Sequence, residues 1–300
     1  MHNYHQAVNA LPWGDGNDEW NVWSSVALAL PYFEGSTFYN AINFSYGFCY
    51  PSVPYNTTIF QAKLSFLTCP SDTDRLMNPE AHTNYSGNAG TAPGCFYDYD
   101  KVGAFDGIFG WTGNPRYTYG TGKGTVNISF ANITDGTSNT AMFSEKVIGV
   151  DTGAALTDAD AILDPLVPTS SIIALAKPAT TAGELSASTW YAQCTATSPR
   201  SAGVTLKTGT FYPFGLYWFD GQPSHTRYNH CMPPNSWSCA WGGHWGDMGG
   251  AYTAASRHPS VVNMALCDGS VRSIKNSIGI NVWWALGTRA AGEVISSDGY

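Results

Sequence analysis

The chain has 300 residues, enough to bury a substantial core in one large domain or in two of ordinary size. Only 12% of them are charged, and the formal net charge of −8, without a Lys/Arg cluster, removes the basic footprint that nucleic-acid binding requires. Abundant Gly, Pro, Trp, Tyr and Phe favour a β-rich, loop-rich protein.

No run of about 18 apolar residues occurs, and MHNYHQAVNALPWGDG carries neither a basic n-region nor an apolar h-region, so the chain as written is expected to lack an export signal. From Trp20 to Glu34, Trp23, Val26, Ala27, Leu30 and Phe33 recur at spacings of three and four, which predicts one face of a helix with Gly35 as its C-cap. Pro31 removes a backbone donor and opens the last turn. IFQAKLSFL, from Ile59, leads into a turn at CPSD, signalled by Pro70 and Asp72. TVNISFA alternates Val126, Ile128 and Phe130 with polar or small residues, and predicts a strand. DGTSNT then connects it to AMFSEKVIGV, giving a hairpin with a long loop.

Residues 151–200 turn small, Pro-interrupted and poor in aromatics, and are expected to be a variable insertion. Residues 211–250 are rich in aromatics among Gly, Pro and Asn, with Trp218, Trp237, Trp241 and Trp245 as candidate contacts to a glycan or a neighbouring subunit.

RHPSVVNMALCDGSVRSI reads as a hairpin. A type I′ turn at Asp268-Gly269 sets Leu266 opposite Val271 and Met264 opposite Ser273, with Val262, Met264, Leu266 and Val271 on one face and Arg272 on the other. His258 then lies about 25 to 30 Å from Asp268 along the arm, at about 3.3 Å per residue, too far for a dyad. Both residues are expected to be structural.

Seven cysteines without CxxC spacing suggest disulfides and an oxidising compartment, with at least one thiol left over. Cys231 and Cys239 flank a turn-rich stretch and form the candidate pair. N-x-S/T sequons at Asn43, Asn56, Asn84, Asn127 and Asn132 fit an exported surface.

These motifs carry a resemblance. HNYHQAVNALPWG, WSSVALALPYFEGSTFYNAINF, FLTCPSD, NYSGNAGT, ITDGTSNTAMFSE, PPNSWSC, CDGSVRSI and WWALGTRAAGEVISSDGY stand in order over nearly the whole chain. With the spacing from His258 to Asp268-Gly269, the set resembles the prepilin-type H-X9-DG family of type IV pilin-like proteins of planctomycete bacteria. The positions that match are Cys69, Pro70, Ser71, Asp72, Asp135, Gly136, Glu145, His258, Asp268 and Gly269. The resemblance implies an α+β fold: one pilin-like head over residues 1–300, with an antiparallel sheet and elaborated loops. On that resemblance the N-terminal helix is expected to be largely missing from the chain, with residues 1–10 as its remnant. Contact with a membrane is expected only through that absent helix.

Candidate chemistry is sparse. G-x-S-x-G, HExxH, Walker and dinucleotide motifs are all missing, and His225, His230 and His244 lack strict ligand spacing. No cofactor is expected with certainty, and calcium is the candidate. Asp98, Asp100 and Asp106 supply the hard oxygens that calcium takes, outside any EF-hand register. The expectation is an exported, non-enzymatic structural subunit of an extracellular or cell-surface filament or coat, with copies of itself as partners. The alternative is a surface carbohydrate- or solute-binding module built on the Trp-rich loops.

Overall fold

A computed structural model describes residues 1–15, 22–46, 55–76, 79–91, 105–110, 128–149, 172–175, 186–197, 214–241 and 250–295. In chain order its elements are α1 (His2–Val8), α2 (Ser25–Ala29), α3 (Ser36–Ala41), α4 (Thr57–Phe60), β1 (Tyr85–Asn88), β2 (Ala141–Glu145), β3 (Ile172–Leu175), α5 (Ala187–Thr195), α6 (Pro223–Thr226), β4 (Arg227–Tyr228), β5 (Ser238–Trp241), β6 (Gly250–Ala251), β7 (Val261–Leu266), β8 (Val271–Lys275) and α7 (Ile280–Gly287).

Helices and strands are mixed, and the larger sheet has the order β4-β1-β2-β7-β8. It was expected to be antiparallel, but β1 and β4 run parallel, so the sheet is mixed. A smaller sheet orders β3-β5-β6, with β3 from the region expected to be an insertion. Among the described residues no helix is long and apolar enough to cross a membrane.

The helix expected over 20–34 is shorter. Its first described turn starts at Ser24, whose hydroxyl accepts from the Ala27 N–H. At Leu30–Tyr32 the chain tightens to a 3-10 turn around Pro31. Glu34, at φ 65°, takes the left-handed position, and Gly35 begins α3 instead of capping α2. The buried face of α2 packs with Trp218, Phe219 and Leu64 in one core cluster. A second cluster joins the β7–β8 hairpin to α7 through Val262, Met264, Ile274, Trp283 and Leu286.

Two strand expectations fail. Phe130–Asn132 is a 3-10 turn closed by a capping box from Ser129, and Val126 lies outside the described residues. Both edges of β2 are occupied, by β1 and by β7, so among the described residues it forms no hairpin with Ile128–Ala131 of TVNISFA.

The β7–β8 hairpin exists with a turn one residue longer than a type I′ turn. Gly269 N–H donates to the Leu266 carbonyl at 3.0 Å, Leu266 N–H donates to the Ser270 carbonyl at 2.8 Å, and Gly269 has φ 89°. A left-handed Gly after a tight turn is the three-residue hairpin loop with a bulge. Ala265 therefore faces Val271, Met264 faces Arg272 and Val262 faces Ile274. A shift of one residue flips every side chain of a strand. Val271 accordingly points outward, 67% exposed, while Ile274 is buried and Arg272 shares the inner face it was expected to avoid.

Candidate functional site

The motif residues gather at the two ends of β2. At its first end, the DGTSNT loop receives the hairpin turn: Cys267 N–H donates to Thr140 O and Asp268 N–H to Thr137 O, both at 2.9 Å. Gly136 supplies a positive φ of 98° there. The Asp135 carboxylate accepts from the N–H groups of Ala291 and Gly292, each at 2.8 Å, so it anchors the segment after α7. Asp268 accepts from the N–H and hydroxyl of Ser270, and these bonds hold its carboxyl below the usual range.

At the other end of β2, about 13 Å away at about 3.3 Å per residue, three segments converge. The CPSD turn closes with Asp72 N–H donating to Cys69 O at 3.0 Å. Asp72 is the hub that docks it. One of its oxygens accepts from Arg257 Nε at 2.8 Å, and the other from Asn84 Nδ2 at 2.7 Å and Ile148 N–H at 2.8 Å. Asn84 completes the clamp, accepting from Cys69 N–H at 2.9 Å and donating to Lys146 O at 3.0 Å.

Cys69 is thereby brought beside His258 and Glu145. His258 Nε2 lies 3.1 Å from Glu145 Oε1 and 3.9 Å from Cys69 Sγ. The His258 side chain is 33% exposed and that of Glu145 only 7%. Asn263 fixes the carboxylate, giving its N–H to Oε2 at 2.8 Å and its amide to Oε1 at 3.1 Å. Tyr85 sits opposite Glu145 on β1, and burial, then the neighbouring Cys69 and Glu145, raise its phenol pKa. Ser71 Oγ touches Cys69 Sγ at 3.0 Å, and Pro70 is exposed on the rim.

The arrangement restricts the chemistry. A thiol–imidazole–acid relay needs thiol and acid on opposite ring nitrogens. Here both face Nε2, so the cluster as arranged is no relay. Sulfur, nitrogen and oxygen that all lie within 4.8 Å of one another are instead a convergent donor set.

A second polar system is buried around Lys146 and Arg227. Lys146 is wholly enclosed, donating to the carbonyls of Pro223, Ser224 and Arg227 and lying 4.3 Å above the Phe214 ring. Burial, then Arg227, push its pKa well down. Arg227 pairs with Asp15 at 2.9 Å, and Asp220 pairs with His225. Burial raises Asp220 against the pull of His225. The His230 ring packs against that of Trp283 at a tilt, its Nδ1 lies 2.6 Å from Trp283 O, and burial lowers its pKa to about 3. Among the described residues neither His225 nor His230 joins a ligand set, and His244 lies outside them.

Several sequence expectations are corrected. Among the described residues a disulfide joins Cys194 to Cys239, from α5 to β5, while Cys231 is a free, buried thiol whose pKa burial raises. A partner 45 residues upstream gives no local sequence signal. Trp218 is a core residue with its indole N–H on Ala62 O at 2.8 Å, so it offers no surface platform. Trp237 is half buried against the disulfide cluster and donates to Cys194 O. The Trp241 side chain and Trp245 lie outside the described residues.

Asn56 and Asn84 are buried, and both spend their amides on internal hydrogen bonds, which leaves no room for a glycan. Asn43 and Asn132 are exposed, and Asn127 is outside the described residues. Asp106 accepts from the Thr91 N–H at 2.6 Å and from its hydroxyl, closing a loop; Asp98 and Asp100 are likewise outside the described residues.

A family model described as protein of unknown function (DUF1559) matches residues 1–281. No curated protein and no solved structure matches the chain.

Proposed function

The chain belongs to the DUF1559 family, and on that footing we propose that it is a non-enzymatic structural subunit of an extracellular or cell-surface filament or coat, with a type IV pilin-like head of the H-X9-DG prepilin type. The observation that carries this reading is the seating of α1. In a pilin-like head the N-terminal helix rests against the sheet. Here His2 Nε2 lies 3.0 Å from Cys267 O in the β7–β8 turn, and the His2 and His5 rings pack on Phe130. None of the residues of α1 is buried, so its outer face is free for a neighbouring copy.

Two further features support the reading. The Cys194–Cys239 disulfide suits an oxidising compartment, as export requires. The motif residues staple loops to the ends of β2, a scaffold role that needs no substrate. The aromatic-loop alternative loses Trp218 to the core and gains no described platform.

Immunogold labelling of intact native cells with an antibody to this chain tests the proposal. Label in regular rows on the cell surface is the expected outcome. Label confined to the cell interior would overturn it.

A further inference from the structure

We propose that Cys69, Glu145 and His258 form a binding site for a zinc-class divalent cation, which ties the CPSD turn to the ends of β2 and β7. The three donors come from segments far apart in sequence and meet at one half-exposed point. The two separations to the imidazole nitrogen come close to those around a tetrahedral ion, and all three donors lie within 4.8 Å of one another. With metal–ligand bonds of about 2.0 to 2.3 Å, tetrahedral angles put ligand atoms roughly 3.3 to 3.6 Å apart. The observed 3.9 Å from sulfur to imidazole nitrogen and 3.1 Å from nitrogen to carboxylate oxygen each need only a small adjustment.

Charge and support also fit. A thiolate and a carboxylate balance a divalent ion, and the neighbouring Arg257 is engaged by Asp72. Sulfur and imidazole select zinc over calcium or magnesium, which prefer all-oxygen shells. Asn263 orients Glu145 from behind, and Asn84 fixes the Cys69 backbone, as outer partners do at metal centres. Three protein donors leave a fourth position for water, and the Ser71 hydroxyl lies 3.0 Å from the sulfur. Binding replaces the Cys69 S–H bond and the His258 Nε2–H bond to Glu145 with bonds to the ion; the thiol proton passes to solvent, and the imidazole exchanges its Nε2 proton with solvent and carries its one proton on Nδ1.

The test is titration of the metal-free full chain with cobalt(II), then displacement by zinc. The expected result is a sulfur-to-cobalt charge-transfer band that saturates at one ion per chain and is bleached by zinc. Cys69→Ser and His258→Ala should abolish the band, and Asn263→Ala should weaken binding about 10-fold. Circular dichroism verifies that each variant is folded. Independently of any variant, zinc should raise the unfolding temperature of the wild-type chain. The absence of both a saturable band and a thermal shift would overturn the site, as would a band that survives in folded Cys69→Ser and His258→Ala.

Discussion

His258 Nε2 lies 3.1 Å from Glu145 Oε1, while Asp268, ten positions after His258, docks at the opposite end of β2. The nine-residue spacing is thus a strand length. It lets β7 present His258 to the last residue of β2 and the Asp268-Gly269 turn to the loop before its first. Replacing Glu145 by Ala strips the acceptor from His258, Asn263 N–H and Asn263 Nδ2. The expected loss is about 3 kcal/mol in urea unfolding, with about 1 kcal/mol for His258→Ala. Inserting one Ala after Asn263 breaks the register and should remove cooperative unfolding.

Asp72 holds the CPSD turn through Arg257, Asn84 and Ile148. Asp72→Ala should cost about 3 kcal/mol by leaving buried donors without an acceptor. Arg257→Ala, at a partly exposed donor, should cost about 1 kcal/mol. Equal losses would contradict the role of Asp72 as the hub.

His230 is neutral in the folded chain because burial lowers its pKa from 6.5 to about 3. Between those values the unfolded chain binds the extra proton, so stability is fully present above pH 6.5 and falls as the pH drops toward 3. The slope from this one residue approaches about 1.4 kcal/mol per pH unit. Urea midpoints for His230→Gln should lie on a flatter profile across that window, and an unchanged profile would rule out the assignment.

Peptide mapping under non-reducing conditions should recover Cys194 linked to Cys239, with Cys231 alkylated only after unfolding. Closing a loop of 45 residues corresponds to about 4 kcal/mol in the chain-entropy account. Cys194→Ser should lower stability by about that amount, whereas Cys231→Ser should leave the crosslink intact.

Local features were legible in the sequence, and long-range ones were not. The turn at CPSD, the strand AMFSE, the short helix at Ser25–Ala29 and the β7–β8 hairpin each follow from composition and periodicity over a few residues. The register of that hairpin did not, because Asp-Gly serves both a two-residue turn and a three-residue loop with Gly269 in the left-handed position. The site was visible only as separate motif letters. Cys69 and His258 are 189 positions apart, and no periodicity links them. What singled out Cys69, Glu145 and His258 was the resemblance to the H-X9-DG family, which set them among motif residues expected to be structural. The burial of Trp218 was equally hidden, since a Trp between Tyr and Phe reads the same on a loop platform as in a core.

The proposed structural role requires that copies of this chain assemble. Cryo-electron microscopy of the full-length protein, taken from the native cell surface without denaturant, tests that most directly. The predicted result is a regular homotypic array in which each copy places α1 against its neighbour. A monodisperse monomer in every preparation of native full-length material would contradict it.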